Sequence, residues 1–189
     1  MHRQPDQAPG PVRRHTWAGG VSLSPVSDLE LRLDALARRL AALDDEVAIH
    51  QVLARYGPAV DSGSADEAAG LWTEDGTYDA QIGAWSGRAA IAGMVAGPGH
   101  QGLIYGGAAH VMGGVPLVSV RGDTATATAY YELHRREGER YVLWRVTATR
   151  WELERDGSGW KVTSRVNRLL DGHDDARELL GRGLPGQPG

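Results

Sequence analysis

The chain has 189 residues, 41% of them hydrophobic and 23% charged, which is enough for one globular domain with a sizeable core. Its net charge of −4 argues against nucleic acid as the main partner, because phosphate binding needs clustered Lys and Arg. The absence of cysteine excludes disulfides, thiolate zinc sites and a cysteine nucleophile. No apolar run approaches the roughly 20 residues that span a bilayer, and no apolar segment follows Arg13 and Arg14 as it would in a signal peptide. We therefore expect a cytoplasmic protein that binds neither nucleic acid nor membrane.

The two ends of the chain differ in composition from the part between them. Residues 1–26 hold four of the nine prolines and little periodic hydrophobicity, which favours a disordered tail. Residues 172–189 are predicted to form a C-terminal tail, since the stretch from Gly181 onward is rich in Gly and Pro. The chemistry is therefore expected between these tails.

The first predicted element is an extension helix over residues 27–44. Its apolar residues follow a heptad-like 4-3-4-3-4 spacing: Leu29, Leu33, Leu36, Leu40, Leu43 and Val47. An exposed stripe of this kind is a large apolar patch, so it packs either on its own domain or on another subunit.

A second helix is predicted to begin near Asp44 or Asp45, where the apolar phase shifts. Gly57-Pro58 is expected to kink or end this helix, because proline lacks an amide donor and clashes with the preceding turn. Ser64 can cap a further short helix that ends near Trp72.

Strands dominate the second half. Alternating or β-branched residues predict strands at Val115–Val120, Thr124–His134, Tyr141–Glu154 and Trp160–Leu170. Helices followed by an antiparallel meander indicate an α+β domain, with helices packed on one face of a curved sheet.

Four side chains are candidates for a proton-transfer site. Asp61 closes an apolar helical stretch, five residues after Tyr56, His110 begins a strand-like run, and Arg165 lies within the last strand. Each has a structural alternative: a turn cap for Asp61, a core aromatic for Tyr56, a core histidine for His110 and a solvated strand arginine for Arg165. Tyr56 and Asp61 are also about 140° apart on an ideal helix.

Several other kinds of site find no support in the sequence. There is no phosphate-binding G-x-x-x-x-G-K-[ST] motif, no H-E-x-x-H or other tight metal-ligand spacing, and no nucleophile elbow. His100 and His134 rank well below His110 as residues that line a pocket. We expect neither a metal nor an organic cofactor.

Residues 45–171 resemble a SnoaL-like domain of the nuclear-transport-factor-two-like superfamily. The similar segments are AIHQVLARYGPAVDSGSADEAAGLWTEDGTYD, GRAAIAG, AAHVMGGV, VRGDTATATAYYELH and SGWKVTSRVNRLL. The resemblance implies a cone of curved antiparallel sheet, with packed helices that enclose an apolar pocket. It also implies a homo-oligomer, a dimer or trimer. From the heptad-like stripe we predict that the extension helix contributes to this assembly.

Within this superfamily the chain is similar to a dehydratase-like branch that includes scytalone dehydratase, lindane dehydrochlorinase and bile acid dehydratases. The resemblance places Asp61 and His110 at the positions of an Asp–His dyad, Tyr56 at a phenol position and Arg165 at an arginine of the last strand. It implies a lyase that removes a proton and eliminates a β-substituent from a small, largely apolar, cyclic or polyketide-like substrate. Polyketide cyclase, isomerase and non-catalytic small-molecule-binding functions remain open.

Overall fold

The computed structural model describes residues 25–184 of the chain. Its helices are α1 (Pro25–Asp61), α2 (Ala65–Ala69), α3 (Arg88–Ala96), α4 (Pro98–Tyr105) and α5 (Asp174–Gly181). Its strands are β1 (Trp72–Asp79), β2 (Ala84–Ser86), β3 (Ala108–Met112), β4 (Leu117–Arg121), β5 (Thr124–Glu137), β6 (Arg140–Asp156) and β7 (Gly159–Leu169). None of the described helices combines the length and the apolar character needed to cross a bilayer. The predicted N-terminal tail, residues 1–26, lies almost wholly outside the described residues.

The chain divides into two compact units, Met1–Arg38 and Arg39–Gly189. The described part of the first unit is helical from Pro25 onward, and all strands found in residues 25–184 belong to the second unit. The predicted helix start near Asp44 or Asp45 is wrong, and Gly57-Pro58 does not end the helix, because α1 continues to Asp61. Pro58 is tolerated because α1 ends three residues later, so the missing amide donor affects only the last turn.

The sheet is mixed but mostly antiparallel, and it confirms the α+β fold class. Its strand order is β2-β1-β7-β6-β5-β3, with β4 also paired to β5. β4 to β7 correspond to the four predicted strands. β1 and β2 were not predicted, and β1 pairs with β7 in parallel, which the expected antiparallel meander lacks. Trp72 begins β1, whereas the sequence predicted a helix up to this residue.

One face of the sheet packs against the second half of α1. On β5 one face is buried from Ala125 to Leu133, and small alanines dominate it: Ala125, Ala127, Ala129, Tyr131 and Leu133. Thr128 on the opposite face is buried as well. Ile49, Leu53 and Val60 of α1 are fully buried in the same core cluster as the alanines. Each such aliphatic side chain contributes roughly 1.5–3 kcal/mol when removed from water.

The C-terminal segment is partly helical, which corrects the prediction of a tail from residue 172. α5 buries Ala176 and Leu179 against Ala148 of β6.

Gly57 and Gly93 form a matched pair that tests how closely α1 approaches β3. A Cβ at Gly57 would lie 2.8 Å from the carbonyl oxygen of His110, whereas a Cβ at Gly93 in α3 would meet nothing within 4 Å. We expect Gly57→Ala to lower the free energy of unfolding by about 1–3 kcal/mol through overpacking. We expect Gly93→Ala to raise it by about 0.5–1 kcal/mol through helix propensity. Urea denaturation measures both, and equal stabilisation by the two substitutions would contradict the close approach.

Candidate active site

The end of α1 is joined to β3 through the carboxylate of Asp61. Its Oδ1 lies 2.6 Å from His110 Nδ1, and its Oδ2 accepts a hydrogen bond of 2.8 Å from the His110 backbone N–H. An ionised carboxylate can only accept hydrogen bonds, so Nδ1 carries the proton of the neutral ring and Nε2 carries the lone pair. The carboxylate therefore fixes both the tautomer and the orientation of a largely buried imidazole.

The turn after α1 does not depend on Asp61, which removes the alternative of a simple turn cap. The hydroxyl groups of Ser62 and Ser64 lie 2.8 Å apart, and Ser62 Oγ donates to the Ala59 carbonyl. Both oxygens of Asp61 are instead bonded to His110.

Arg165 is a buried cation surrounded by aromatic rings rather than a solvated strand arginine. Only 1% of the Arg165 surface is exposed. The guanidinium carbon lies 3.9–5.0 Å from the centres of four rings, those of Tyr56, Tyr78, Tyr131 and Trp151. Nε, Nη1 and Nη2 are buried and make no hydrogen bond to any of residues 25–184. Burying a charge without a hydrogen-bonded partner is costly, so these donors are candidates for binding a ligand.

Tyr56 and Tyr131 bring phenol groups to the same cluster. Burial raises the pKa of both phenols well above the ordinary value, and the nearby positive charge of Arg165 opposes this without reversing it. Both hydroxyl groups therefore stay protonated at neutral pH and can donate hydrogen bonds. The ring of Tyr56 lies edge-on to that of His110, with centroids 6.4 Å apart. Tyr56 thus reaches the site from the side of α1, whereas Asp61 reaches it from the end of the helix. Both side chains can therefore serve one site although they point in different directions around the helix axis.

These side chains surround a pocket with a cavity volume of about 100 Å³. Tyr56, His110 and Arg165 line it directly, and Asp61 acts behind His110. The rest of the lining is mostly apolar or aromatic and includes Tyr78, Trp85, Met94, Leu103, Tyr131 and Leu133. Its volume is of the same order as the roughly 150 Å³ cavity that holds benzene in another protein, so this conformation suits a small substrate.

His100 of α4 also lines the pocket and stacks on the base candidate. Its ring lies 5.5 Å from that of His110 at an interplanar angle of 25°, and neither ring nitrogen makes a hydrogen bond to a described residue. Burial, followed by the His110 charge, lowers the pKa of His100, while the nearby Val95 carbonyl and Asp61 act in the opposite direction. His134, the other low-ranked histidine, pairs instead with Glu132 at 2.8 Å.

Several pocket residues were not among the sequence-based candidates, and Tyr131, Tyr78 and Asn167 are three of them. Tyr131 shares the alanine face of β5, so strand alternation carried a usable signal for it. Tyr78 lies on β1, which was not predicted. Asn167 donates a hydrogen bond of 3.1 Å to the Tyr78 hydroxyl and could have been placed only with the β1–β7 pairing known. Within residues 25–184, no three His, Asp or Glu side chains are grouped so that they could hold a metal ion.

Comparisons with known proteins identify similar chains. Residues 41–166 match the family model of the SnoaL-like domain. An NTF2-like protein with a cystatin-like fold from Novosphingobium aromaticivorans is 42% identical with a TM-score of 0.75, and the match covers 78% of this chain and 96% of that chain. An NTF2-like superfamily protein from Salmonella enterica shares the fold at 13% identity and a TM-score of 0.57, with 70% and 99% covered. No curated protein matches the chain significantly.

Proposed function

Because the chain belongs to the SnoaL-like family of the NTF2-like superfamily, a family that includes enzymes, we propose that it is a carbon–oxygen lyase of the dehydratase type. Its substrate would be a small, largely apolar molecule, cyclic or polyketide-like, with a leaving group β to a carbonyl. The pocket volume and its aromatic lining support a substrate of this kind.

The observation that carries the proposal is the double hydrogen bond between Asp61 and His110. A general base must have a lone pair that faces the substrate, and it must keep its orientation when it becomes charged. The Asp61 carboxylate meets both needs, because it holds Nδ1–H and stabilises the imidazolium that forms on proton uptake.

The proposed reaction begins when His110 Nε2 takes a proton from the carbon beside the carbonyl. The C–H electron pair first forms an enolate, and the charge on its oxygen is stabilised by the donors of Tyr56 and Arg165. The enolate electrons then form the new double bond between the α and β carbons as the β C–O bond breaks. The leaving hydroxide takes the proton from His110 to form water. These steps use side chains alone.

The same base and donors would also serve an enolate that closes a ring or isomerises instead of eliminating. Release of water distinguishes elimination from these two alternatives. A non-catalytic binding domain would show no elimination, no ring closure and no isomerisation.

Elimination from a panel of small β-hydroxycarbonyl compounds tests the role of the dyad. We expect Asp61→Asn and His110→Ala each to lower the rate by roughly a hundred- to ten-thousand-fold, because general base catalysis is lost. His134→Ala is the matched control, since His134 is also paired with a carboxylate but does not line the pocket. Product formation is followed by absorbance of the conjugated carbonyl. Unchanged rates in both dyad variants would remove Asp61 and His110 from the mechanism.

We also propose that the chain forms a homo-oligomer through the apolar stripe of α1. In the unit Met1–Arg38 the stripe residues Leu29, Leu33 and Leu36 are exposed, and in the unit Arg39–Gly189 so are Leu40, Leu43 and Val47. The exposed fractions of all six lie between 51% and 61%. Heptad spacing favours packing against an identical helix, because a and d positions on two copies interlock.

Light scattering on the full chain checks this assembly. We expect the wild type to have a mass of two or three times the 20.3 kDa of a single chain. A Leu40→Glu, Leu43→Glu double variant should be monomeric, because carboxylates in the seam repel and lose solvation. Arg38→Glu is the control on the same helix. A monomeric wild type would contradict the proposal.

A further inference from the structure

The pairing of β5 with β6 is irregular beside the pocket. Leu133 pairs with Arg145 and His134 pairs with Leu143, so Trp144 has no partner on β5. An extra residue on one strand is a β-bulge, a feature that redirects nearby side chains and is common next to functional sites. Arg145, directly after the bulge, lines the same pocket as His110 and Arg165.

Arg145 differs from the other partly buried arginines in having no acidic partner. Arg150 reaches Glu152 at 3.7 Å and Arg168 reaches Asp79 at 2.6 Å. Within the described part of the chain, the Arg145 guanidinium makes no ion pair and no hydrogen bond; it lies 4.1 Å from the ring centre of Trp144. Burial lowers the pKa of this guanidinium, while the nearby Tyr78 acts in the opposite direction.

The carboxylates near the pocket, including Glu132 in its lining, bind histidines and do not pair with either guanidinium group. Asp61 is bound to His110 at 2.6 Å, and Glu132 is bound to His134 at 2.8 Å. Arg165, the second cation that lines the pocket, also lacks a hydrogen-bond partner among the described residues. The pocket thus presents two guanidinium groups whose donors are unused.

We propose that the substrate carries a carboxylate or an equivalent oxyanion group, and that Arg145 binds this group. A guanidinium presents parallel N–H donors that match the two oxygens of a carboxylate, and the contact is stronger in a partly dry pocket. Arg165 then stabilises the carbonyl oxygen that gains charge during the reaction. This second assignment rests on the proposed function. The binding role of Arg145 does not depend on turnover.

Benzoate and benzamide are suitable probes, because they have nearly the same shape and differ in charge. Isothermal titration of the full chain should show benzoate binding roughly tenfold or more tightly than benzamide, the expected effect of a charge-assisted hydrogen-bonded pair. Arg145→Gln should abolish this preference by weakening benzoate binding while leaving benzamide unchanged. Arg135→Gln is the matched control, since Arg135 also contacts the Trp144 ring, at 4.8 Å, but does not line the pocket.

Two outcomes would overturn the assignment: equal affinity of the wild type for both probes, or a preference for benzoate that survives in Arg145→Gln. The second would mean that Arg165 alone holds the anion. A wild type that prefers benzoate through Arg145 but eliminates water from no substrate supports the anion site and contradicts only the proposed lyase activity.

Discussion

The contact between Asp61 and His110 is the constraint on which the site depends. It joins the last residue of α1 to β3 through two hydrogen bonds from one carboxylate. The helix can come this close because residue 57 is glycine, and a Cβ there would collide with the His110 carbonyl oxygen. Stability and chemistry are therefore coupled at one place, since the packing that brings α1 to β3 also sets the orientation of the imidazole.

The pocket beyond this contact is dominated by a buried positive charge. Arg165 lies among four aromatic rings, whose faces attract a cation but accept none of its hydrogen bonds in conventional geometry. Removing a guanidinium from water costs several kcal/mol, and ring faces offset only part of this. An anionic group on the substrate, or one that develops in the transition state, would find donors already in position. A preorganised arrangement of this kind stabilises charge without reorganisation during the reaction.

Much of the fold followed from the sequence, because hydrophobic periodicity identifies elements that face one core. The strands β4 to β7 were predicted in this way. The SnoaL-like resemblance rested instead on similar sequence segments, and it is confirmed by the family match over residues 41–166. β1 was missed because its acidic and glycine-containing segment, with Glu74, Asp75 and Gly76, lacks the alternation of a half-buried strand. Its parallel pairing with β7 is a long-range contact that local pattern does not encode.

The site was less accessible to sequence reasoning than the fold. Spacing left Arg165 with a solvated alternative, and only the structure shows its burial among rings supplied by α1, β1, β5 and β6. Tyr78 and Asn167 could not be placed without the β1–β7 pairing, and the bulge at Trp144 depends on a register shift that periodicity does not reveal. The catalytic roles of Asp61, His110, Tyr56 and Arg165 stay proposals, as does the dehydratase branch.

Nitrogen NMR of the histidine rings tests the central claim most directly. At about pH 8, above the ordinary histidine pKa, neutral rings report which nitrogen carries the proton. We predict that His110 is protonated at Nδ1 in the wild type and loses this preference in Asp61→Ala. His50, whose Nε2 lies 3.3 Å from the Pro116 carbonyl oxygen, should be unaffected and serves as an internal control. A His110 ring that is protonated at Nε2 in the wild type would contradict the account, because no lone pair would then face the substrate.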